Sequence, residues 1–108
     1  MTVENLCQLD CVKLKIYGHY FSNTEINRYL KHVLSGGAPR LRVFLAAVRH
    51  SMDNKIMDGI RELLTESERF ERVHGNWKVI GKFARGKELA LVNIEFTRRT
   101  VCMEIKDI

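Results

Sequence analysis

What this sequence has little of narrows its function before any motif does. Proline occurs once, at Pro39, and glycine seven times. That is too little for a linker, so the 108 residues read as one domain spanning 1–108. No apolar run approaches the roughly 20 residues that cross a bilayer. The N-terminal MTVENLCQLDC carries acids and no basic n-region, so neither a membrane span nor a signal peptide is expected, and a soluble cytoplasmic protein is. The three cysteines, Cys7, Cys11 and Cys102, fit free thiols better than a secreted disulfide framework. Cys7 and Cys11 have loose metal spacing but no second ligand pair nearby. The four histidines, His19, His32, His50 and His74, show no HxxxH, HxH or HExxH spacing. Gly36-Gly37 lacks the Lys-Ser/Thr of a phosphate loop, and there is no GxSxG elbow. No metal, cofactor or catalytic residue is therefore expected. The one acid–base arrangement to weigh, His19 with Tyr17 and Tyr20 for RNA cleavage, is set below surface or half-buried histidines.

Composition is otherwise that of a globular domain, with 45% hydrophobic and 29% charged residues. The net charge is +5 and unevenly spread: +3 over residues 1–53, −1 over 54–76 and +3 over 77–108. Such a balance leans toward nucleic acid or acidic protein surfaces.

Along the chain, Val12, Leu14 and Ile16 alternate with Lys13, Lys15 and Tyr17, the period of a half-buried strand. Ser22-Asn23-Thr24-Glu25 is a capping box for a helix with Ile26, Tyr29 or Leu30, Val33 and Leu34 on one stripe, closed by Ser35-Gly36-Gly37. Pro39 suits a first helical position, and Leu41, Phe44, Leu45, Val48 and Met52 recur at helical spacing, predicting a second helix to about Ser51. Asp53 or Asn54 can cap a third, with Ile56, Ile60, Leu63 and Leu64 as its stripe and Met57 at the margin. From Trp77 the period returns to two. Trp77, Val79 and Phe83 share one face, where core is favoured over base stacking. Ala84-Arg85-Gly86-Lys87 and Thr97-Arg98-Arg99 are turn signals. Leu89–Phe96 reads as a central strand covered on both faces, and Val101, Met103 and Ile105 mark a last strand. The expected fold is α+β: a three-helix half packed on a small antiparallel sheet, in the order β-α-α-α-β-β-β, with Phe70–Val73 as a further short strand.

The run IRELLTESERFERVHGNWKVI, from Ile60 to Ile80, resembles the last helix and wing of a winged-helix domain. Phe70, Val73, Gly75 and Trp77 stand at the positions of the wing's aromatic, valine, tight turn and second aromatic. The helices expected at Thr24–Leu34 and Arg40–Ser51 stand where the family's first two would. The resemblance implies duplex DNA binding with the third helix in the major groove. That helix, however, sets Lys55 and Arg61 against Asp53, Asp58, Glu62, Glu66 and Glu68, and carboxylates are disfavoured beside phosphates. The expected nucleic-acid contacts therefore move to Arg40, Arg42 and Arg49 on the second helix, Lys78 and Lys82 on one strand face, Arg85 and Lys87 in the adjoining turn, and Arg98 and Arg99 in the next turn. The last two lie at the opposite end of a meander, so the nine need not form one patch. The leading expectation is a non-enzymatic nucleic-acid-binding module. The alternative is a protein-binding inhibitor or adaptor acting on a larger nucleic-acid-handling machine, and a homodimer through an uncovered strand edge stays open.

Overall fold

The computed structural model describes residues 2–49 and 54–108. The chain opens with a five-residue helix α1 (Val3–Cys7), capped by a Thr2–Asn5 box. It continues through β1 (Lys13–Phe21), α2 (Asn23–His32) and β2 (Val43–Val48). Two 3-10 turns at Asn54–Met57 and Arg61–Leu63 lead into a meander of β3 (Glu66–Val73), β4 (Asn76–Arg85), β5 (Glu88–Thr97) and β6 (Thr100–Asp107). All six strands form one mixed sheet in the order β1-β2-β6-β5-β4-β3. β1 and β2 run parallel, and the other pairings are antiparallel. A parallel pair needs a crossover, which α2 supplies.

This corrects the three-helix half and, with it, the winged-helix-like arrangement. Only the first of the three expected helices forms as a regular α-helix. Its capping box is present as expected, with Ser22 Oγ accepting from Glu25 N at 3.1 Å and Glu25 Oε1 accepting from Ser22 N at 3.0 Å. The second becomes β2. Its run VFLAAV is apolar at every position, a pattern for which helical spacing and a strand buried between neighbours cannot be told apart. The rest of that expected helix, from His50 through Met52, and the expected cap at Asp53 lie outside the described residues. The third is broken into 3-10 turns around Gly59, whose φ of +75° stops an α-helix. Ile56, Met57 and Ile60 are nevertheless buried as expected. Glu66 and Glu68, expected on that helix, belong to β3.

The Cα trace measures 36 × 30 × 18 Å; the short dimension accommodates one sheet and one helical layer. On the covered side Phe44, Val48, Val79, Phe83, Ile94, Phe96, Val101 and Met103 are fully buried in one core with residues of α2, of the Val33–Gly37 turn that follows it and of the 3-10 turns. Tyr29 on α2 meets Phe44 on β2 at a ring-centroid distance of 4.6 Å, and burial pushes its hydroxyl well above the usual tyrosine range. Asn27 is the one buried polar side chain among the described residues. Its Nδ2 donates to the carbonyls of Ile56 at 3.0 Å and Asp58 at 2.9 Å, tying α2 to the 3-10 turns.

The β3–β4 and β5–β6 hairpins close on two-residue loops with both residues in the left-handed region: His74 (φ 52°) with Gly75 (φ 79°), and Arg98 (φ 47°) with Arg99 (φ 62°). That is the type I′ pattern, which favours Asn-Gly and costs energy for two arginines.

The Asn27 tie and the strained arginine turn each predict a change in stability. Asn27→Ala strands the buried Ile56 carbonyl and frees the part-buried Asp58 carbonyl, and should lower unfolding free energy by about 1–3 kcal/mol in a urea titration, with the m-value unchanged; an unmoved midpoint would deny the tie. Arg98→Asn combined with Arg99→Gly should raise stability by about 1 kcal/mol; a lower melting temperature would show that the arginines are not strained.

Candidate functional site

Alternation along β2, β4, β5 and β6 buries one face and leaves the other open. Among the described residues nothing packs on that open face, which corrects the expectation that Leu89–Phe96 is covered on both sides. β5 is central, but Leu89 and Glu95 are exposed and Leu91 and Asn93 half-buried, while Ala90, Val92, Ile94 and Phe96 point into the core.

Register fixes which side chains adjoin on the open face. One row runs Lys15, Leu45, Cys102, Glu95, Lys78, Glu71 from β1 to β3. The next runs Lys13, Val43, Glu104, Asn93, Ile80, Arg69. A shorter row sets Leu91 between Lys106 and Lys82, with Glu66 beyond. Apolar Val43, Leu45, Ile80 and Leu91 are thus half-buried among charged neighbours. Lys78 pairs with Glu95 across β4 and β5, and Lys82 with Glu66 across β4 and β3 at 3.2 Å. Such cross-strand pairs fix register more than they stabilise. The Cys102 thiol is pushed up by burial first and then by Glu104 and Glu95, with Lys15 pulling the other way. It stays a protonated, weakly reactive group. A shallow depression of about 170 Å³, lined by Glu68, Ile80, Leu91, Asn93, Glu104 and Lys106, lies over the middle of this face.

The nine basic residues singled out from sequence fall in three places. Arg40, Arg42, Arg85 and Lys87 gather at one end of the sheet. There Arg40 pairs with Asp10 at 3.5 Å and Arg42 with Asp107 at 2.8 Å. The Arg42 guanidinium holds the Asp107 carboxyl below its usual value. Arg85 instead serves the backbone. Its Nη2 donates to the carbonyls of Ala38 at 3.0 Å and Leu41 at 2.8 Å, pinning the loop that leads into β2. Burial, and then the nearby Arg42, lower its pKa. Lys78 and Lys82 sit on the open face. Arg49, Arg98 and Arg99 meet at the opposite end, where Val48 N donates to the Arg99 carbonyl at 2.7 Å. Arg49 Nη2 reaches the Tyr20 carbonyl there at 3.4 Å.

His19 is half-buried with its ring edge-on to Phe21 at 4.5 Å, while Tyr17 and Tyr20 are 76% and 58% exposed. Among the described residues no three His, Cys, Asp or Glu side chains converge as metal ligands, and no helix is long and apolar enough to cross a membrane. The two open-face apolar spots, Val43 with Leu45 and Ile80 with Leu91, are not foreseen by the motifs and turn signals of the sequence. The available signal was strand parity: each alternates with a core residue on the same strand.

Residues 1–45 match a family model described as F-box associated, so the stretch from α1 into the first half of β2 is similar to that family. No curated protein and no solved structure matches the chain.

Removing Arg85 separates its role from that of its neighbour. Arg85→Ala should lower stability by about 1–3 kcal/mol by freeing two carbonyls. Lys87→Ala, in the exposed turn, should stay within about 0.5 kcal/mol. Equal denaturation midpoints for the two variants would contradict the pinning role.

Proposed function

We propose that this chain is a non-enzymatic protein-binding module that presents the open face of its sheet to a protein partner. The observation that carries the reading is a pair of half-buried apolar spots, Val43 with Leu45 and Ile80 with Leu91, interleaved with charged side chains on a sheet face that no described residue covers. Apolar groups interspersed with charged and polar ones are the ordinary composition of a protein-recognition surface. The similarity of residues 1–45 to a family described as F-box associated supports an adaptor, and under this reading its partner belongs to a ubiquitin-ligase setting.

The nucleic-acid reading has less support. Four of its nine basic residues sit beside carboxylates that dilute their potential, and Arg85 is committed to backbone carbonyls. Phosphate binding wants a contiguous basic track.

The test uses the immobilised 108-residue chain and a nuclease-treated extract. One protein should be retained stoichiometrically. Leu91→Glu, which lands between Lys82 and Lys106 and so keeps the fold, should reduce retention about tenfold, as hot-spot loss does; circular dichroism checks folding. Retention that nuclease abolishes, or steeply salt-dependent duplex binding indifferent to Leu91→Glu, would instead favour nucleic acid.

A further inference from the structure

The two edges of the sheet are managed differently. β3, at one end, is bulged between Ser67 and Arg69 and carries Glu66, Glu68, Arg69, Glu71 and Arg72. That mixture of signs, with a bulge, deters a further strand. β1, at the other end, carries Lys13, Lys15 and His19 and no carboxylate. It pairs regularly with β2 from Lys13 to Lys15, and Val12 O accepts from Arg42 N at 2.7 Å and Val43 N at 3.2 Å. Strand geometry turns the backbone groups of alternate residues to opposite sides, so those not used toward β2 face the open edge. Ile16–His19 then arch out against Ala46 alone before pairing resumes at Tyr20, with Gly18 at φ +75°. The arch holds out Tyr17, and Tyr20 follows where pairing resumes; the two are 76% and 58% exposed. Beyond Tyr20 lie Arg49, Arg98 and Arg99. The last two keep a turn conformation that costs energy, and among the described residues their side chains form no ion pair.

We propose that the open edge of β1 takes an extended acidic segment of a partner protein. The segment adds as a seventh strand along Val12–Lys15 and passes over Tyr17 and Tyr20 toward Arg49, Arg98 and Arg99. The assignment rests on the protein-binding reading above and names the chemistry of the partner. Strand addition supplies main-chain hydrogen bonds, and alternate side chains of the incoming segment supply specificity. Every second residue of that segment projects onto the face that carries Lys13 and Lys15, which calls for Glu or Asp at those positions. Tyrosines contribute contact area at low entropic cost. A second copy of this chain suits the edge poorly, because edge-to-edge pairing sets Lys13 and Lys15 against like charges.

The experiment uses the ¹⁵N-labelled 108-residue chain. The probe is an acetylated, amidated decapeptide alternating Glu and Val, with a Lys-for-Glu version and a single-stranded RNA ten-mer as comparisons. The acidic peptide should shift the amides of Lys13, Lys15 and Tyr17 saturably and slow their hydrogen exchange. Lys13→Glu with Lys15→Glu should weaken it about tenfold. Arg98→Asn with Arg99→Gly should weaken it about threefold although that variant is the more stable, which no loss of fold can mimic. Absence of binding, shifts centred on β3 or the middle of the open face, an equal response to the Lys peptide, or stronger shifts with RNA would each overturn the assignment. Shifts of the β1 amides with protein concentration alone would overturn it in favour of a dimer. Failure here with Leu91-dependent capture intact would reject the edge and leave the protein-binding reading standing.

Discussion

Strand β2 has to satisfy two partners at once, and the rest of the molecule depends on its doing so. It lies parallel to β1 on one side and antiparallel to β6 on the other, so among the strand pairings it is the link between the N-terminal β-α-β unit and the C-terminal meander. Its inward side chains, Phe44, Ala46 and Val48, are 0–1% exposed and make the floor on which α2 rests. Burying a side chain such as Phe44 or Val48 is worth about 1.5–3 kcal/mol each. Its outward ones, Val43, Leu45 and Ala47, seed the apolar part of the open face. One six-residue strand therefore couples core packing to recognition. The Arg85 guanidinium, which anchors the loop entering β2, belongs to the same coupling.

Where local chemistry decides, the sequence is legible. The Ser22–Glu25 capping box, the His74-Gly75 and Arg98-Arg99 turns, and the alternation in β1, β4 and β6 are short-range patterns, and each element forms where its pattern lies. β2 was not legible, because VFLAAV satisfies a helical spacing as well as a strand. Only the availability of β1 and β6, both distant in sequence, selects the strand. Ile56 and Ile60 were legible as core yet not as 3-10 turns, since the left-handed Gly59 outweighs the stripe around it. α1 carries a recognisable cap, but five residues are too few for periodicity to register.

The candidate site was legible as residue types and not as an arrangement. Arginines and lysines can be counted from sequence, but their partners cannot. Asp107 sits opposite Arg42, and Glu95 opposite Lys78, only because the sheet order places β6 beside β2 and β5 beside β4. The same order separates a charge-mixed edge at β3 from a basic one at β1. The electrical polarity of the sheet is thus a property of topology that composition cannot hold.

The position of β2 between distant partners also sets the order of events during synthesis. Val43 bonds in register with Glu104 and Ala47 with Thr100, so that closure spans half the chain and carries the entropy of a large loop. The stretch similar to the F-box associated family ends at residue 45, inside β2 and before the β6 strand with which β2 pairs. While the ribosome is still making the meander, VFLAAV has one partner strand and one bare edge. Folding of this high-contact-order sheet is correspondingly slow. The nascent chain must keep one edge of an apolar hexapeptide unpaired until β6 emerges.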